Sequence, residues 1–107
     1  MSRYARRVDR EQPVIVKELR ALGFSVIHVH QVGRDAPDII VGKLGITVLV
    51  EIKTPGREKR EKERLANQAA ARAAWTGDSY IQATTTGEIV AEFQRLHAAR
   101  RGIRPLV

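Results

Sequence analysis

Apolar positions recur along this chain with two different periods. Ile15, Leu19 and Leu22, with Val14 on their flank, follow the helical period, and Gly23 stops the run. Asp9 reads as the N-cap of this helix, Gln12 completes a capping box, and Pro13 falls in the first turn, where a missing N–H is tolerated. Glu11 and Glu18 lie close to the apolar stripe, so one of them is a candidate for a polar centre. Glu18 reads better as an edge carboxylate paired with a nearby Lys or Arg. From Phe24 to Val32 the period becomes two. Phe24, Val26, His28 and His30 share one face of a strand, and Ser25, Ile27, Val29 and Gln31 share the other.

Two nearly apolar strands follow, one through Ile39, Ile40 and Val41 and one alternating from Val48 to Lys53, as expected for strands covered on both sides. The short Gly42 to Gly45 connection predicts a hairpin between them. After Lys53 comes TPGREKREKER, with five cations and three anions, read as a loop that becomes the first turns of a second helix. Leu65, Ala66, Ala69, Ala70, Ala73 and Ala74 give that helix a weak apolar face suited to close packing on a sheet, and Gly77 ends it. Tyr80 to Thr84 supplies a fourth strand, and Thr86 to about His97 a last helix through Ile89, Val90, Phe93 and Leu96. The predicted fold is α/β, in the order α-β-β-β-α-β-α, a small mixed sheet flanked by helices.

A chain of 107 residues makes one domain, with residues 1–8 a basic arm and 98–107 a loosely held basic tail. Without cysteine there is no disulfide, thiolate zinc site or cysteine nucleophile. No apolar run approaches a membrane span and the first ten residues lack the apolar segment of a signal peptide, so the expected setting is the cytoplasm, or the host cytoplasm for a phage-encoded chain. Charge alters the picture more. Lys and Arg total 19 against 12 acidic residues, 14 of the 19 are arginine, and the net charge is +7. Forked guanidinium donors suit phosphate, and nucleic acid is the expected partner. Arg6, Arg7 and Arg10 among the first ten residues, Arg34 in the turn after the first strand, and Arg57, Lys59, Arg60, Lys62 and Arg64 in the charged loop are the candidate DNA-binding residues.

The costly side chains of the apolar hairpin are Asp38, Glu51 and Lys53. Alternation from Val48 onward places Glu51 and Lys53 on one face, and the hairpin brings Asp38 to the same end of the sheet. Two carboxylates in a partly dry site repel unless a cation joins them. Oxygen ligands without cysteine or a histidine cluster select a hard ion, Mg²⁺ or Mn²⁺, held by Asp38, Glu51 and the carbonyl of Ile52. Such an ion polarises a phosphodiester and activates water, and Lys53 is placed to orient or deprotonate that water. His28 and His30 share a strand face but lack a third partner, and read as exposed or substrate-facing imidazoles.

Pro37-Asp38 followed by Glu51-Ile52-Lys53 in this element order resembles the PD-(D/E)XK nuclease superfamily. Within it the chain is similar to small phage and bacterial VRR-NUC-type proteins and to archaeal-type Holliday junction resolvases. The likeness spans roughly Val8 to Phe93 and includes Asp9-Arg10-Glu11-Gln12, Gly33-Arg34-Asp35-Ala36-Pro37-Asp38, Gln68 and Trp75-Thr76-Gly77. The glycine usual before Pro-Asp is replaced here by Asp35 or Ala36, depending on register. The resemblance implies a further group from the first helix, Glu11 or Gln12, holding a metal-bound water, and a role for Gln68 in positioning the substrate or Lys53. Trp75 reads as a core or interface anchor rather than a base-stacking platform.

The function expected is a Mg²⁺- or Mn²⁺-dependent DNA endonuclease that reads DNA structure, a Holliday junction or other branched form, in phage or bacterial replication, recombination or repair. A branched substrate needs two active sites, hence a homodimer. The competing expectation is a basic nucleic-acid-binding module on a nuclease fold without catalysis.

Overall fold

In the computed structural model, residues 11–29, 36–53 and 69–100 are described. They form helix α1 (Glu11–Ala21), strands β1 (Ser25–His28), β2 (Ile39–Lys43) and β3 (Ile46–Ile52), helical residues 69–74 (α2), strand β4 (Ser79–Ala83) and helix α3 (Thr86–Arg100). The sheet runs β1-β2-β3-β4, antiparallel across the first three strands and parallel between β3 and β4. This is a mixed α/β fold. Among the described residues no helix is long and apolar enough to cross a membrane.

The core lies between one sheet face and the helices α1 and α3. Val26 pairs with Val41 and Val41 with Val48, so strand alternation lines these residues up across the sheet. Ile39, Val50 and Ile52 continue the same face, and Ile15, Val16, Leu19, Ile89 and Phe93 close over it. Each large apolar side chain buried this way contributes about 1.5–3 kcal/mol. The buried stripe of α1 is Gln12, Ile15, Val16 and Leu19. This corrects the predicted stripe at its ends, because Val14 and Leu22 are 55% and 52% exposed. The helix ends at Ala21, and Leu22 falls in a Schellman turn where Phe24 N–H bonds to Leu19 O and Gly23 N–H to Arg20 O, with Gly23 at φ 91°. Phe24 is thereby returned to the core, edge-on to Phe93 at 4.8 Å. Lys43 seals this corner, its Nζ donating to Leu22 O at 2.7 Å and lying over the Phe24 ring.

The hairpin is tighter than the predicted four-residue connection. Lys43 pairs with Ile46, leaving Leu44 and Gly45 as a two-residue turn with φ of 54° and 80°, the I′ form that suits the twist of the flanking strands. Leu44 is exposed and carries an unfavourable left-handed backbone there. Toward the other end of the chain, α3 begins with a reciprocal capping box. Glu88 N–H bonds to Thr85 Oγ1, and the Glu88 carboxylate accepts from the N–H groups of Thr84 and Thr85. Thr86 Oγ1 donates to Glu18, which ties α1 to α3, so Glu18 is an exposed carboxylate paired with a hydroxyl instead of a cation.

The predicted loose tail begins too early. Residues 98–100 are the last turn of α3, and Arg100 bonds to both Gly45 O and Asp78, clamping the helix end to the hairpin turn. Asp78 also accepts Thr47 N–H. Glu92 links α3 to β4 by accepting from Ser79 Oγ at 2.6 Å, while Arg95 forks onto both its oxygens.

Two outcomes follow from this frame. Replacing Leu44 with Asn, which tolerates the left-handed region, should stabilise the protein by roughly 1 kcal/mol. Thermal unfolding would then shift upward by about 4–8 °C. Glu92 has its acidity strengthened, chiefly by the hydrogen bond from Arg95 and against the opposing effect of burial, which places its carboxyl below the usual 4.5. A lowered folded-state value means that the contribution is present at neutral pH and is lost as pH falls below about 4.5 toward the folded value. Glu92→Gln should therefore lower the melting temperature at pH 7 and flatten its dependence on pH below 4.5.

Candidate active site

The sheet face opposite the core carries the candidate chemistry. Ile39 pairs with Val50, and Asp38, a bend residue just before β2, sends its N–H to the same Val50 O at 2.9 Å, so Asp38 and Ile39 both oppose Val50, the residue before Glu51, in a β-bulge. Alternation along β3 sends the Glu51 side chain away from the face that carries Val50. Pro37 precedes Asp38 and has no N–H to extend the ladder. There the Asp38 carboxylate substitutes for a backbone acceptor, Oδ2 taking the Ile52 N–H at 2.7 Å. One carboxylate oxygen thus closes the ladder and fixes the orientation of the side chain.

Gln12, Asp38 and Glu51 are the buried polar or charged side chains among the described residues, at 1%, 5% and 2% exposure. All were singled out in the sequence. A carboxylate so far from water needs a counter-charge. For Glu51 the structure supplies Arg72 from α2, with Nη1 3.1 Å from Oε1. This contact brings α2 over the second sheet face. It also corrects the expected packing of that helix, since Ala69, Ala70, Ala73 and Ala74 are exposed while Ala71 and Arg72 are half-buried. The alanines supply little apolar area, and the ion pair decides which side turns inward.

Lys53 stands just past β3, half-buried, and its N–H donates to Ala83 O, continuing the parallel pairing with β4. Alternation keeps it on the Glu51 face. Gln12 lies at the same end of the sheet on the core side. Its Nε2 is 3.1 Å from Nδ1 of His28, whose strand position pairs with Ile39. Glu11, one residue earlier, is only half-buried, so Gln12 is the first-helix residue turned inward. Arg6, Arg7, Arg10, Arg34, Arg57, Lys59, Arg60, Lys62, Arg64, Gln68 and His30 lie outside the described residues.

Compared with protein-family models, curated proteins and solved structures, the chain gives no match. The chemistry of the site must therefore be read from its donors. Among the described residues no three acidic or imidazole side chains gather to hold a metal ion. The set offered is two carboxylates and the Ile52 carbonyl, oxygen donors that fit a hard divalent cation completing its shell with water.

Arg72 was not anticipated. It is the one cation in the run NQAAARAAW, and a single long charged side chain in an alanine helix was the available signal. The end of α2 is set by Trp75, whose indole meets Tyr80 edge-on at 6.3 Å and lies directly over Gly77. Trp75 is 44% exposed, so it is not a core anchor. A Cβ on Gly77 would sit 2.6 Å from Trp75 Cζ2, which explains the Trp-x-Gly spacing as a stacking requirement. Gly77→Ala should push the indole off Tyr80 at a cost of about 0.5–1.5 kcal/mol. Because the chain has a single tryptophan, the displacement should appear as a red-shifted emission.

Proposed function

We propose that this chain is a metal-dependent endodeoxyribonuclease of the PD-(D/E)XK type, acting on branched DNA such as a Holliday junction. The observation that carries the reading is the burial of Asp38 and Glu51 at one end of the β2–β3 pair, where Asp38 Oδ2 takes the N–H of Ile52 between Glu51 and Lys53. Two buried carboxylates close together favour a cation between them, and the arrangement makes chemical sense as a cation site. Asp38, Glu51 and the Ile52 carbonyl would hold Mg²⁺ or Mn²⁺. When bound, that ion supplies Lewis-acid activation of a phosphodiester and of water.

The chain's own residues do the rest. The bond from Ile52 N–H orients the Asp38 carboxylate before any ligand arrives. Lys53 offsets negative charge developing on the phosphate and orients the attacking water. Gln12, held against His28, is the first-helix group at this end of the sheet. The net charge of +7 attracts the polyanion, and a homodimer would present two such sites to a four-way substrate.

The Arg72–Glu51 pair favours one second reading, a nucleic-acid-binding module in which a guanidinium has permanently replaced the ion. Cleavage assays on linear, flap and four-way DNA separate the two. A nuclease should nick in Mg²⁺ or Mn²⁺ and stop in EDTA. Asp38→Asn and Lys53→Ala should each lower the rate by more than roughly 10²-fold while leaving DNA binding in place. Undiminished cleavage by these variants would exclude the site, and chelator-indifferent, steeply salt-dependent binding without cleavage would establish the second reading.

A further inference from the structure

The ion pair at the mouth of the site points to a built-in competitor for the metal. Glu51 is 2% exposed and Arg72 20%, so the carboxylate is enclosed and the Arg72 side chain, though largely covered, keeps more contact with solvent than Glu51 does. Their contact runs through one nitrogen and one oxygen at 3.1 Å. Elsewhere in the same molecule Arg95 grips Glu92 through two bonds, at 3.1 and 2.6 Å. A single-bonded guanidinium on a surface helix is held less firmly than a forked one and retains donors for another acceptor. A divalent ion on Glu51 and a guanidinium on the same carboxylate are like charges within a few ångströms, and the dry surroundings strengthen their repulsion.

We propose that Arg72 is a displaceable counter-cation. It neutralises Glu51 while the site lacks an ion, preserving the buried carboxylate in place, and it leaves Glu51 when a divalent ion binds. Arg72 thereby sets the metal affinity of the site and is a positioning residue for Glu51. The proposal rests on the reading of Asp38 and Glu51 as a cation site and adds the control of its occupancy.

Direct titration with Mn²⁺, followed by calorimetry and by the electron paramagnetic resonance of the free ion, tests both without requiring cleavage. Removing the competitor should make Arg72→Gln bind Mn²⁺ about tenfold more tightly than the wild type, whereas Arg72→Lys, which keeps the charge, should stay closer to it. Glu51→Gln should lose the site. Equal or weaker binding by a folded Arg72→Gln protein would overturn the role of Arg72 and leave the metal site standing. Absence of Mn²⁺ binding by the wild type and every variant would overturn the metal reading and this inference with it. A measurement on the wild type guards against a variant that does not fold. During Mg²⁺ titration the ¹⁵Nε signal of Arg72 should move toward that of a free guanidinium, and a signal unchanged at saturation would refute displacement.

Discussion

A carboxylate shut away from water has to be matched by positive charge, and around Glu51 that requirement organises much of the described structure. Glu51 sits on a strand whose other residues from Val48 to Ile52 are all buried. Arg72 answers it from α2, where among the described residues Ala69, Ala70, Ala73 and Ala74 face solvent. Among the described residues of α2, Arg72 provides the helix's charged contact with the sheet. Such a pair gains little net stability over an apolar substitute, yet losing one partner would strand a buried charge. An arrangement this costly is best understood as serving a site.

Asp38 joins the fold to that site. Its backbone lies at a bulge where the β2–β3 ladder ends, accepting from Val29 N–H and donating to Val50 O, while its carboxylate receives Ile52 N–H. The same side chain therefore ends the β2–β3 pairing, one residue along β3 from Glu51. In the proposed nuclease this means that the ligand geometry is established by sheet formation itself, before substrate is present, in the manner that preorganised sites require.

The opposite face provides the rigidity. Packing of α1 and α3 on Val26, Val41, Val48 and Val50 is reinforced at the corners by polar ties, from Glu18 to Thr86, Lys43 to Leu22, Glu92 to Ser79 and Arg100 to Gly45 and Asp78. These ties explain why α3 extends to Arg100, three residues beyond its last predicted position at His97. Its final turn has little apolar content and is held by the ion pair and by the hairpin carbonyl.

The sequence by itself determined the element order, the hairpin, the core strand faces and the placement of Asp38, Glu51 and Lys53 at one end of the sheet. Each of these depends on short-range periodicity or on a stop signal such as Gly23, which operate within a few residues. The Thr85-x-x-Glu88 capping box was equally legible and passed unnoticed. Only the tertiary structure decided which residue faces Glu51, that Gln12 rather than Glu11 turns inward to meet His28, and that Trp75 packs outside the core on Gly77. Those outcomes join positions 21 and 16 residues apart, or depend on the chain's path through a turn, and no local pattern encodes them. A charge in a weakly apolar helix acquires its meaning from the strand beneath it.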